Sequence, residues 1–309
     1  MLARLVQVSL LLELATYVVI GAWLHASRDW PWIAIVFAAL AMLFGARLVL
    51  VCFTCFLGWL WRSPRTAADS IRLIDVPRYL VGEYGALVTD NLLQLPFERW
   101  MVRRNLPATP AQGLPIVLVH GYLSNRGYFR PLVRFLESAG AGPLFAPNFP
   151  VVFSSIEDFA AELHEAIERI AAGCGQGKVV LVCHSMGGLA AREYLRVHGI
   201  GRVHRLVTIA SPHHGTMLAT FGMGLNARQM RRGSDFLRRL EAEEARVTSK
   251  VPTTSIYSPH DNLVSPQDTS RLDWARNITV PGKGHLALLS AARTFELLRE
   301  ALDLPARPR

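Results

Sequence analysis

The sequence predicts an α/β fold, a mainly parallel sheet with helices on both faces, preceded by an N-terminal transmembrane helical hairpin. Three observations point there. From Pro115 onward, short β-branched apolar runs alternate with stretches of helical periodicity, as in a sheet whose crossovers cover both faces. Residues 5–61 form two long apolar blocks with a single short break. The composition, 51% apolar against 18% charged, exceeds the needs of a soluble domain, and the excess lies in those blocks. The 309 residues suffice for one domain of about 200 residues and an extra segment. The predicted division is 1–61 hairpin, 62–112 a partly helical juxtamembrane linker, and 113–309 the sheet domain, with an insertion at about 213–250.

The first apolar block, Leu5 to Leu24, is just long enough to cross a hydrocarbon core of ~30 Å at ~1.5 Å per residue. The second, Trp32 to Trp61, is longer and can tilt or extend into the interface. Trp23, Trp30, Trp32, Trp59 and Trp61 stand at the block ends, where indoles favour the membrane–water boundary. A cleaved signal peptide fits less well, because Gly21-Ala22-Trp23 is a poor cleavage site and a second apolar block follows. Glu13 and Arg47 fall within the blocks, and charges at that depth need partners, such as each other across the hairpin. Basic residues at Arg4 and at Arg62, Arg65, Arg72 and Arg78 place both ends of this multi-pass segment, and the following domain, on the cytoplasmic side.

The net charge of +9 suits an anionic membrane surface. No Lys/Arg run with interleaved aromatics and no nucleic-acid-binding motif appears, so nucleic acid is excluded as a partner. Cys52 and Cys55 share a Cys-x-x-Cys spacing, but they sit among Phe53, Phe56 and Leu57 with no second pair. They read as small apolar residues of a membrane helix, and neither a metal nor a cofactor is expected. Oligomeric state is left open. In the linker, Leu80 to Arg103 shows imperfect helical spacing interrupted by Pro96, and 106–110 reads as an extended connector. No chemistry is apparent there.

In the sheet domain, the strands predicted are 115–121, 143–146, 178–184, 202–211, 252–258 and 278–280. Helices are predicted at Tyr128 to Ala139, at Ser155 to Ala172 with a serine cap and acidic first turn, after Gly187 up to Gly199, and at Leu286 to Ala301. Active sites of such sheets form outside the carboxyl ends of the strands.

Five motifs fall at those ends. Cys183-His184-Ser185-Met186-Gly187-Gly188 lies where a strand passes into a helix. It resembles the nucleophile elbow of the α/β-hydrolase superfamily, with Cys183 in place of the first glycine. Leu118-Val119-His120-Gly121-Tyr122 ends an earlier strand and resembles the oxyanion loop of lipases and esterases. Tyr257-Ser258-Pro259-His260-Asp261-Asn262-Leu263-Val264 carries an Asp-x-x-Val after the penultimate strand, and Gly284-His285-Leu286 follows the last one. Ser211-Pro212-His213-His214-Gly215-Thr216 resembles a segment of bacterial triacylglycerol lipases that borders their site.

The resemblance covers about residues 114–304 and implies an α/β-hydrolase fold and a serine hydrolase of esterase or lipase type. It assigns Ser185 as nucleophile, His285 as base and Asp261 as its acid partner, in the superfamily's chain order, with Asp268 and Asp273 as weaker alternatives for the acid. The backbone N–H groups of Tyr122 and Met186 would form the oxyanion hole, and His120, Gly121, Leu123 and His184 would shape the substrate site. His120 is expected to bond the loop backbone, and His184, His213, His214 and His260 stand in the wrong strand context for the base. The insertion, with Met217, Met230 and Phe236, fits a lid or a cap packed permanently on the core, and its Arg228, Arg231, Arg232 cluster reads as a solvated face or as a contact for anionic lipid headgroups. The expected substrate is a lipid or other lipophilic ester. An acyltransferase on the same scaffold is the alternative enzyme. A non-catalytic membrane protein retaining the fold and a transporter component are the remaining readings.

Overall fold

The two apolar blocks fold as helices α1 (Leu2–Arg28) and α2 (Trp32–Leu60), both long and apolar enough to cross a membrane. The structure, a computed structural model, describes residues 1–66, 69–103, 113–149 and 152–305. Asp29, in the left-handed region at φ 53°, ends α1, and Pro31 leads into α2. The helices approach closely at Gly21, where a Cβ would stand 2.5 Å from Ile35 Cγ2. Arg47 and Glu13 pair across the hairpin through two hydrogen bonds of 3.0 and 2.8 Å. Tyr17 also donates to Glu13, and Arg47 Nε donates to Asn91 at 2.9 Å. Each charge is thus fully engaged, as its apolar setting requires.

The next segment folds as α3 (Val76–Thr89), a wide turn over Asp90–Gln94 and α4 (Glu98–Met101). Pro96 lies in the break between them, as its missing N–H dictates. The predicted connector at 106–110 and the boundary at 112 lie outside the described residues.

The sheet domain runs β1 (Ile116–Val119), α5 (Arg130–Ser138), β2 (Leu144–Phe145), α6 (Ile156–Gly173), β3 (Val179–His184), α7 (Met186–His198) and β4 (Val203–Ile209). It continues through α8 (Gly224–Gln229), α9 (Asp235–Glu244), β5 (Thr253–Tyr257), β6 (Arg276–Thr279) and α10 (Ala292–Ala301). The six strands pair in parallel in the order β2-β1-β3-β4-β5-β6. Side-chain alternation along β1 and β3 feeds two cores. Leu118 and Val182 pack under α5 and α10 with Phe129, Leu132 and Leu297, while Val119, Leu181 and Cys183 pack under α6 and α7 with Phe159, Leu163 and Leu189. Ser155 caps α6 in a capping box with Asp158.

One predicted element differs. The helix expected from Leu286 to Ala301 is a single tight turn over Ala287–Ser290, an extended residue at Ala291, and then α10. The extended backbone of Ala291 interrupts the ladder, and the N–H groups of Leu286 and Ala287 at the start of the turn are engaged by the Glu83 carboxylate.

Candidate active site

The turn between β3 and α7 places Ser185 at φ 54°, ψ −130°, a conformation costly for a residue with a Cβ and tolerated only where its surroundings fix it. The fixing contacts are specific. Ser185 N–H donates to Ile209 O at 2.9 Å, and Ser185 O accepts Gly188 N–H at 3.0 Å. A Cβ on Gly187 would collide with Val119 O, one on Gly188 with Ser211 Oγ, and one on Gly121 would lie 2.8 Å from Ser185 Cβ. Cys183, opposite Val119 and Thr208 on the neighbouring strands, is fully buried, so its small side chain fits where the superfamily pattern has glycine.

Asp261 follows β5. Its Oδ1 accepts the N–H groups of Leu263 and Val264, both at 2.8 Å, which fixes the carboxylate. His285 Nδ1 lies 2.9 and 3.1 Å from the two Asp261 oxygens, and His285 N–H donates to Asn262 Oδ1 at 2.9 Å. Both side chains are buried. Burial alone would depress the imidazole pKa, but the Asp261 charge and hydrogen bond together with the Glu83 charge outweigh it and raise the pKa above the ordinary value. Ser185 and His285 line one cavity without a hydrogen bond between them, and such contacts are often long without substrate.

Met186 opens α7, so its N–H has no preceding helical turn to bond. Gly121 packs against it, with a Cβ position 3.2 Å from Met186 N. The loop carrying Tyr122 is held by a hydrogen-bond chain. Gly121 N–H donates to Tyr128 Oη (3.2 Å), Tyr128 Oη–H to His184 Nδ1 (2.9 Å), and His184 Nε2–H to His285 O (3.3 Å). This direction requires His184 to be neutral, and burial with the nearby His285 keeps its pKa well below the ordinary value. Leu123 adopts φ 47° at the bend. His120 is buried, accepts Phe149 N–H on Nε2 and does not line the cavity, whereas Gly121, Leu123 and His184 do. The other histidines are tied up elsewhere: His213 to Thr208, His214 to Glu241, and His260 to Gly282 N–H.

The cavity has a volume of ≈500 Å³. Its walls combine the loop through Gly121, Tyr122, Leu123 and Ser124, the insertion through Leu218, Phe221, Met223 and Met230, and α2 through Leu50, Phe53, Thr54 and Leu57. One part of the insertion is fastened down. The buried Arg192 of α7 pairs with Glu244 of α9 and donates to His213 O. The other part, with Phe221, Met223 and Leu225, is exposed. Arg228, Arg231 and Arg232 lie on its solvent side.

Two further features were not apparent from the sequence. Glu83 of α3 is buried and accepts the N–H groups of Leu286 and Ala287 (3.1 and 2.9 Å), immediately after His285. The end of α2 is bound to the Asp261 loop. Gln267 Nε2 donates to both Gly58 O (3.1 Å) and Asp261 O (2.8 Å), and Asn262 Nδ2 donates to Thr54 Oγ1 (2.9 Å). A lone carboxylate in the apolar run Leu80-Val-Gly-Glu-Tyr-Gly-Ala-Leu-Val88 and a glycine in an apolar helix were the available signals. Among the described residues, no three His, Cys, Asp or Glu converge as a metal site.

A parallel sheet with a strand–Ser–helix elbow and an Asp–His pair at its carboxyl edge defines a hydrolase architecture. The chain belongs to the alpha/beta hydrolase family, whose sequence profile matches residues 116–291. It is 29% identical over 118 residues to the lysosomal thioesterase PPT2-B of Xenopus laevis, covering 36% of this chain and 38% of that protein. It is 26% identical over 132 residues to the human lysosomal thioesterase PPT2, covering 40% and 42%. The chain thus spans about two fifths of the length of these curated relatives. Among solved structures, the mature lipase BlEst2 of Bacillus licheniformis superposes with a TM-score of 0.57 at 18% identity, covering 64% of this chain and 96% of that one. Lipase B of Aspergillus fumigatus gives 0.56 at 22%, covering 64% and 55%. At these identities, the two superpositions establish the shared fold.

Proposed function

We propose that the protein is a membrane-anchored serine hydrolase that cleaves lipophilic carboxylic esters or thioesters through an acyl-enzyme. Ser185 attacks the carbonyl carbon as His285 Nε2 takes its proton, and Asp261 stabilises the imidazolium. The N–H groups of Tyr122 and Met186 hold the oxyanion of the tetrahedral intermediate. His285 returns the proton to the departing alcohol or thiol, then activates water, which releases the acid and restores the Ser185 hydroxyl. The observation that carries this reading is the buried Asp261–His285 pair, 2.9 Å apart, on the same cavity as a serine in the left-handed elbow conformation. The 213–250 insertion acts as the cap, and α1 and α2 act as the anchor, crossing twice with the catalytic domain on the cytoplasmic side. A reporter fused after Arg309 that is active only outside the cytoplasm would overturn that orientation.

The primary test is fluorophosphonate labelling of the detergent-solubilised protein beside Ser185→Ala and His285→Ala. The expected result is labelling of the wild type alone. A folded wild type that stays unlabelled across lipid and detergent conditions would refute the reading.

A further inference from the structure

We infer that α2 forms one wall of the acyl-binding site, and that the chain of a lipid ester or thioester resident in the bilayer lies along it to reach Ser185. This inference rests on the serine hydrolase reading above. Leu50, Phe53 and Leu57 recur at spacings of three, four and seven, which puts them on one face of α2. All three line the cavity that also holds Ser185 and His285. The hairpin is therefore part of the pocket as well as an attachment to it. A volume of ≈500 Å³ falls in the range of about 300–1,000 Å³ that encloses a small organic ligand.

The length of α2 fixes where this pocket lies. Its 29 residues span about 43 Å at ~1.5 Å per residue, which exceeds a ~30 Å hydrocarbon core by about 13 Å. The overshoot corresponds to roughly the last nine residues, the stretch that carries Thr54 and Gly58 and binds the Asp261 loop. Leu50 then stands near the edge of the hydrocarbon, and the catalytic serine lies beside the polar interface, where the ester groups of bilayer lipids reside. Phe221, 63% exposed, touches Phe53 with ring centroids 6.5 Å apart and Trp61 at 6.3 Å. An exposed apolar rim between the insertion and α2 gives an acyl chain a route into the pocket that does not cross water.

The test uses the full-length protein in phosphatidylcholine vesicles and a hexadecyl fluorophosphonate bearing a diazirine near the end of its chain. After reaction at Ser185, illumination should crosslink the probe to the peptide containing residues 50–57. In parallel, Leu50→Trp should lower the ratio of kcat/KM for a sixteen-carbon over a four-carbon acyl ester at least tenfold, with rates normalised to labelled sites. Leu48→Trp, on the opposite face of α2, should keep the wild-type ratio. Crosslinks confined to residues 113–305, or an unchanged ratio in Leu50→Trp, would overturn the inference while leaving the hydrolase reading intact. Failure of the probe to attach at Ser185 would overturn both.

Discussion

Glu83 and His285 are locked to one another through the backbone: the two oxygens of Glu83 accept the N–H groups of the two residues that follow the histidine, at 3.1 and 2.9 Å. Burial raises the pKa of this carboxyl, the two N–H bonds oppose that shift, and its negative charge in turn raises the pKa of His285. Glu83 therefore acts as a positioning residue for the proposed base. Glu83→Gln removes the charge and turns an amide NH2 toward a backbone N–H. The unmatched donor should cost about 1–3 kcal/mol of stability, read by thermal unfolding. A base works when neutral, so lowering its pKa should move the acidic limb of the pH–rate profile to lower pH. A purely structural role would leave that limb in place.

Asp261→Asn should lower kcat by roughly 10³–10⁴-fold, with a much smaller effect on KM. The amide oxygen can still accept the Leu263 and Val264 N–H groups, so the loop keeps its shape. The amide nitrogen then faces His285 Nδ1 and favours the tautomer protonated on Nε2, which cannot accept the serine proton. Steady-state kinetics on a short-chain ester would show this, and a loss under tenfold would reassign the acid.

Two glycines of α2 should differ sharply. A Cβ at Gly58 would stand 2.9 Å from Asn262 Cα and 3.1 Å from Asp261 O, whereas at Gly45 nothing lies within 4 Å. Gly58→Val should displace the Asp261 loop and reduce kcat/KM on the order of 10²-fold, the scale of a 1 Å misplacement. Gly45→Ala should leave activity within twofold. Both effects can be measured on membranes that carry equal amounts of protein.

Asp90 lines the cavity with its pKa pushed up to about 8 by burial and by the neighbouring Glu83 charge. Its folded-state value lies above its unfolded one, so the stability it contributes is present at low pH and is lost as pH rises toward 8. In the orientation that satisfies its neighbours, the Gln94 amide donates to Asp90 Oδ1 at 3.2 Å. Asp90→Asn should raise the melting temperature by several degrees at pH 8. That advantage should shrink steadily toward pH 4 and level off above pH 8, a profile that melts across pH would read directly.

The parts of the site that obey local rules could be read from sequence. Ser185 sits where a β-branched run meets two glycines, and Asp261 and His285 lie in the loops that follow the last two strands. The strand alternation likewise marked the sheet, because residues of β1, β3 and β4 divide between two cores. What could not be read arises from packing between distant segments. Glu83 and Leu286 are 203 residues apart, and Gly58 and Gln267 are 209 apart. Nothing in the spacing of either segment indicates the other. The helix expected from Leu286 is broken at Ala291, whose extended backbone no residue pattern in the segment marks.

The Glu13–Arg47 pair bears on how the proposed anchor would enter a bilayer. A single carboxylate or guanidinium at the centre of a lone helix is disfavoured by about 2.5–3.5 kcal/mol during insertion. Here each charge has its oppositely charged partner on the other helix, at 2.8 Å. Glu13 of α1 therefore lacks its counterion until Arg47 emerges 34 residues later. Asn91, which completes the guanidinium's contacts, emerges later still. On this order of synthesis, the proposed anchor would partition into lipid as a closed pair rather than as two successive events.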